Sequence, residues 1–133
     1  MAIRVEASSS VPIYEQIADQ IVFAVAAGDL APGDLVPSVR DLSVQLTVNP
    51  NTVVRAYQEL ENLGVLEPLR GRGMTITPDG SKRCRQRRKE RLQGRVEEIV
   101  REAVSAGLGR EELRDLIDAH WPTPGRNGTS AKK

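Results

Sequence analysis

The chain has 133 residues, 39% of them apolar and only 3% aromatic, which leaves room for one small aliphatic-cored domain with an appendage and excludes a large enzyme core. A single cysteine and a single histidine exclude an intrachain disulfide framework and the usual ligand set of a structural zinc, so neither metal nor cofactor is expected. The net charge of +1 hides an asymmetry: residues 1–80 carry five basic against ten acidic side chains, and residues 81–133 carry fourteen against eight.

After an extended lead-in, apolar residues at Ile13, Ile17, Ile21 and Val25, with Tyr14, Ala18 and Ala24 beside them, predict a helix over 12–27. Ser10 and Pro12 suit its start and Gly28 its stop. The segment 28–34 is turn-rich, with Leu30 and Leu35 expected to plug the core. A second helix follows, opened by Ser38 and Asp41 as a reciprocal capping box and burying Val39, Leu42 and Leu46. A break at Thr47-Val48 leads to Asn49 as N-cap and Pro50 at the first helical position of a third helix, whose inward residues are Val53, Ala56, Tyr57, Leu60 and Leu63. Gly64 ends it.

Residues 65–69 and 74–77 read as two strands joined by the tip Arg70-Gly71-Arg72-Gly73. Two helices across a tight turn, followed by such a hairpin, make a winged helix-turn-helix. The fold class expected is therefore mainly α with a small β wing, followed by a two-helix C-terminal tail. In that tail the basic run 81–91 leads into Leu92, Val96, Ile99, Val100, Ala103 and Val104, a fourth helix with one apolar seam. Leu113, Leu116, Ile117 and Trp121 are the inward face of a fifth. The expected domains are 1–78 for the winged helix-turn-helix, 79–121 for the helical dimerisation tail and 122–133 as a disordered end.

The runs PIYEQIADQI, GDLAPGDLVPSVRDLS, VNPNTVVRAYQELENLG and VLEPLRGRGM together resemble the DNA-binding domain of the GntR family over about residues 10–78. The shortness of the tail and the NPNTV-x-(K/R)-AY-x-ELE pattern resemble its YtrA-type branch. The resemblance implies a homodimeric regulator, usually a repressor, that binds a palindromic operator in double-stranded DNA; in this branch the targets are often transporter operons. It also implies that Arg40, at the start of the second helix beside Ser38, lies at the DNA surface.

In a helix-turn-helix the N-terminal end of the second helix reaches base edges, and here that end holds Asn49, Asn51, Thr52 and Arg55. Asparagine can pair bidentately with adenine and arginine with guanine. At the wing, Arg70 and Arg72 flank Gly71, whose lack of a side chain lets the backbone approach sugar-phosphate. Pro50 and Val54 stand where other branches often carry basic or polar residues, so base contacts do not transfer to them.

Each assignment has a plainer alternative. Arg40 could pair with Asp41 or Glu59, Arg55 could be a solvated helix face, and the 81–91 run could be the same. The glycines at 71 and 73 show only a turn. Cys84, set among arginines, has surroundings that favour its thiolate, yet it lacks a resolving partner. His120-Trp121 reads as packing at the end of an apolar stripe rather than as a ligand pocket.

The tail cannot bury both faces of its hairpin against itself, so Leu92, Val96, Ile99, Ala103, Leu113, Leu116 and Ile117 are the expected dimer interface. No effector pocket is visible in the sequence; a small-molecule effector would bind between tail and wing or between subunits. Two other classes of function compete. One is a module whose winged helix meets a protein partner, favoured by the acidic balance of residues 1–80. The other is an enzyme or a fragment of an aminotransferase-type regulator, for which the chain offers no lysine in a cofactor fold and no triad-like company for its His and Cys. No apolar run reaches a membrane span and the opening MAIRVEASSS lacks a signal-peptide stretch, so a cytoplasmic location is expected.

Overall fold

The computed structural model describes residues 2–123. It consists of α1 (Ile13–Ala27), α2 (Val39–Leu46), α3 (Pro50–Asn62), β1 (Leu66–Leu69), β2 (Gly73–Ile76), α4 (Gly80–Ser105) and α5 (Arg110–His120). The expected fold class is the observed one. Residues 124–133, most of the stretch expected to be a disordered end, lie outside the described residues.

Local chemistry accounts for the boundaries. Gly28, at φ +90°, closes α1 with its amide donating to backbone carbonyls of the last turn. The Ser38 hydroxyl accepts from the Asp41 amide at 3.0 Å. Only this half of the expected capping box forms, with the Asp41 carboxylate left outside it. Thr47 makes the turn between α2 and α3 in the left-handed region at φ 56°. A non-glycine residue there costs about 1 kcal/mol, which the packing of the two helices has to offset. Asn49 caps α3 by accepting from the Asn51 amide at 2.8 Å, with Pro50 in the first turn.

The core lies among α1, α2, α3 and the base of the wing. Ile17, Ile21, Leu42, Val53, Leu60, Val65, Leu66 and Ile76 are essentially inaccessible. Each such aliphatic side chain contributes about 1.5–3 kcal/mol relative to an exposed position. β1 and β2 pair antiparallel with Leu66 opposite Ile76 and Leu69 opposite Gly73. The segment after α1 adds to this sheet: Leu35 bridges Thr75, and the Val36 amide donates to the Met74 carbonyl at 3.0 Å. That pairing corrects one expectation. Strand alternation turns Val36 inward and leaves Leu35 at 43% exposure, so Leu30 and Val36, not Leu30 and Leu35, fill the core.

The lead-in also packs. Ile3 is buried, and two glutamines one turn apart on α1 hold the extended backbone beside them. The Arg4 amide donates to Gln20 Oε1 at 2.9 Å, the Glu6 amide donates to Gln16 Oε1 at 2.8 Å, and Gln16 Nε2 donates back to the Glu6 carbonyl at 2.9 Å. These side-chain amides satisfy backbone groups of the lead-in that no strand pairs with.

The chain divides into two compact units, Met1–Arg91 and Leu92–Lys133, a later division than the 78/79 expected. Its physical reason is the first half of α4. Cys84 is fully buried as part of the core, Arg88 lies over the Phe23 ring at 4.3 Å, and Arg91 pairs with Asp19 at 3.0 Å.

The second unit differs from expectation as well. Leu116, Ile117 and Trp121 do not point into a covering of their own chain: they are 50%, 49% and 72% exposed. Ala103 is buried, and Leu113 is half-buried. The Glu112 carboxylate accepts from the Gly109 amide at 2.8 Å to start α5, and His120 Nδ1 lies 2.9 Å from the Leu116 carbonyl at its end.

Candidate nucleic-acid interface

The residues singled out in the sequence come from three places: the start of α2, the start of α3 and the wing tip. Arg40 stands exposed in the first turn of α2. The one ion pair among the described residues is Arg91–Asp19, so Arg40 is tied to neither Asp41 nor Glu59 and its guanidinium keeps its donors free. Ser38 is exposed; its oxygen is taken by the Asp41 amide, but its O–H still has a proton to donate.

At the start of α3, Asn49 and Asn51 are exposed and Thr52 is half-buried. The two asparagines are not equivalent. Asn49 Oδ1 already accepts from the Asn51 amide, so Asn49 offers only its NH2 group, and the two-point pairing with adenine expected of it does not fit its cap role. Asn51 keeps both amide atoms available. Arg55 is exposed, but it is not a freely solvated side chain. Its Cζ sits 4.0 Å from the centroid of the Tyr14 ring, and Nη2 lies 3.4 Å from the Tyr14 hydroxyl. Nothing along the sequence singles out Tyr14; an aromatic beside the apolar stripe of α1, facing a basic residue in α3, becomes a signal only once α1 and α3 are known to pack.

Tyr57 is buried, as expected, and adds a polar function to its packing. Its hydroxyl donates to the Pro37 carbonyl at 2.7 Å, and burial pushes its pKa above the ordinary phenol value, so it stays a neutral donor. This bond fastens α3 to the residue before the Ser38 cap. The wing tip carries Arg70, Gly71 and Arg72 on exposed backbone, with Gly71 at φ +73°. The turn is closed by the Arg72 amide donating to the Leu69 carbonyl at 2.8 Å.

Two other sequence features find different roles. Arg88 and Arg91 of the basic run are engaged with Phe23 and Asp19, which leaves Lys82, Arg85 and Arg87 among its outward cations. The neighbouring arginines do not favour the Cys84 thiolate, because the sulfur faces the core and burial pushes the thiol up to about 11. A cleft of about 500 Å³ opens within the first unit, with an apolar floor of Val22, Leu63 and Val65 and a rim that includes Lys82, Arg83 and Arg87.

Residues 13–76 match the bacterial regulatory proteins of the gntR family. Over 115 residues the chain is 37% identical to the HTH-type transcriptional repressor YtrA of Bacillus subtilis, a match spanning 86% of this chain and 88% of that protein. The chain belongs to the GntR family. Among solved structures it is similar to a GntR family transcriptional regulator from Listeria monocytogenes, with 32% identity and a TM-score of 0.74 over 86% of this chain and 99% of that one. It is also similar to YtrA from Sulfolobus acidocaldarius, a GntR-family transcription factor, with 30% identity and a TM-score of 0.56 over 88% and 94% of the two chains.

The YtrA-type kinship expected from the tail therefore holds. As a GntR protein the chain is a DNA-binding transcription regulator and not an enzyme. Among the described residues, no helix is long and apolar enough to cross a membrane.

Proposed function

We propose that this GntR protein is a repressor that binds a palindromic operator as a homodimer, reading each half-site with the first turns of α2 and α3 and the tip of the wing. The observation that carries the reading is an uncovered apolar face in the second unit. Leu92, Val96, Ile99 and Val100, spaced along one side of α4, are 43–60% exposed, and Leu116, Ile117 and Trp121 are 49–72% exposed. Large apolar side chains in such number on a segment this short need covering, and a second copy of the same segment supplies a self-complementary cover under two-fold symmetry.

Two-fold symmetry of the protein then requires two-fold symmetry of the operator, because each recognition helix meets an identical half-site. Repression is supported by the likeness to the Bacillus subtilis transcriptional repressor YtrA. Ala103, already buried, has little surface left to give to a partner, so the interface rests on the remaining expected residues, with Val100 and Trp121 added. The test is the mass in solution by light scattering of the wild type and Ile99→Asp. The wild type is expected at twice the chain mass and the variant at one chain mass; a monomeric wild type at micromolar concentration contradicts the reading.

A further inference from the structure

Arg55 is the only basic side chain in α3, and the stacking partner that shapes it comes from a helix outside the helix-turn-helix. The guanidinium lies over the Tyr14 ring of α1 with Cζ 4.0 Å from its centroid, and Nη2 donates to the Tyr14 hydroxyl at 3.4 Å. Tyr14 is half-buried and packs against the core, whereas Arg55 is exposed. The anchored member of the pair is therefore the tyrosine, and the arginine is the member whose freedom is restricted.

A guanidinium held over a ring and bonded through Nη2 to its hydroxyl still has its other N–H groups to offer an outside acceptor. A two-point contact with the O6 and N7 atoms of guanine needs that in-plane edge in a fixed orientation. A freely rotating arginine serves a phosphate as well as a base, but one held over a ring and bonded to its hydroxyl is committed to a direction before DNA arrives.

We propose that Tyr14 is a specificity-determining positioning residue: it holds Arg55 in the orientation that reads one guanine in each half-site. The proposal rests on the reading that Arg55 touches a base. Tyr14 acts through Arg55 and not on the DNA, so its effect is confined to the base position that Arg55 reads. Loss of an exposed cation–π contact corresponds to a change of about two- to fivefold, and that is the expected drop in discrimination at this position. Affinity for unrelated duplex, set by phosphate contacts, stays unchanged.

The test is selection of bound sites from a random duplex pool by the full chain as wild type, Tyr14→Leu, Tyr14→Phe, Arg55→Ala and the double variant Tyr14→Leu/Arg55→Ala, with thermal melts to verify folding. Arg55→Ala is expected to abolish preference at one base position and its symmetry mate. Tyr14→Leu is expected to weaken preference at that same position two- to fivefold and at no other, Tyr14→Phe to retain it through the preserved ring, and the double variant to match Arg55→Ala. Should Tyr14→Leu not fold, the same comparison with Arg55→Lys, which keeps the charge but loses the planar stack, is expected to show the same positional loss. If Arg55→Ala alters no base position, the base-reading role of Arg55 falls and the proposal with it. If Arg55→Ala alters one position but Tyr14→Leu, or in its place Arg55→Lys, leaves that preference intact or changes all positions equally, the proposal alone is overturned.

Discussion

The Tyr57 hydroxyl donates to the Pro37 carbonyl oxygen at 2.7 Å, which ties the recognition helix to the residue that precedes the N-cap of α2. α3 is thus joined to the segment that leads into α2 by a partly buried polar bond as well as by apolar packing, which holds together the two helices proposed to read DNA. Tyr57→Phe removes the donor and leaves a carbonyl without its partner. The expected cost is about 1–2 kcal/mol, read as a lowered melting temperature, with a loss of operator affinity at temperatures where the variant remains folded. Unchanged melting would show that the bond contributes nothing net.

Cys84 gives the alkaline limb of stability a defined origin. Its thiol, ordinarily near 9.0, is pushed up to about 11 by burial, so between those values the unfolded chain has released a proton that the folded chain retains. Folding stability contributed by the neutral thiol is complete below about pH 9 and is lost as pH rises towards 11, by about 1–2 kcal/mol over that window. Urea denaturation at pH 8, 9.5 and 10.5 is expected to show this decline in the wild type and a shallower one in Cys84→Ala. The same burial predicts slow alkylation of the native thiol at pH 8 and fast alkylation in urea; equal rates would contradict the buried placement.

Two glycines of α4 respond to the same substitution in opposite directions. A Cβ at Gly94 meets nothing within 4 Å, so Gly94→Ala gains helix propensity without a clash and is expected to stabilise by about 0.5–1 kcal/mol. A Cβ at Gly80 lies 2.5 Å from Ile76 Cγ2, and that side chain is fully buried in the wing base. Gly80→Ala is therefore expected to destabilise by about 1–3 kcal/mol through overpacking. Paired thermal melts check both signs at once.

The wing arginines are predicted to act through phosphate. Arg70 and Arg72 are exposed at the tip and make no ion pair among the described residues. Arg72→Ala is expected to weaken binding to all duplexes alike and to reduce the slope of log affinity against log salt by about 1 per half-site occupied. A loss confined to one sequence would make Arg72 a base reader instead.

Most of the fold was legible because periodicity and caps act locally. Ser38 and Asn49 cap the helices they were expected to cap, and the turns at Gly28 and Gly64 fall where positive φ is needed. What escaped depends on contacts between distant segments. Leu35 and Val36 are equally apolar, and only the pairing of their backbone with β2 decides which turns inward. The Gln16 and Gln20 clamp on the lead-in looks like ordinary solvated polarity until the lead-in backbone lies beside α1. Charge around Cys84 was read along the sequence, whereas the helix points the thiol into the core and the arginines away from it.

The candidate interface divides the same way. Motif position singled out Arg40, Asn51, Thr52 and the wing tip, all of which keep polar atoms free, but the sequence does not show that Asn49 spends its oxygen on the cap. Nor does it show that Arg55 rests on Tyr14.

The most direct test of the central claim is selection of bound sites from a random duplex pool at two salt concentrations, comparing the wild type with Arg40→Ala. The account predicts that the wild type enriches one inverted repeat, that enrichment weakens as salt rises, and that Arg40→Ala loses it. No enrichment above background by the wild type at low salt would contradict it.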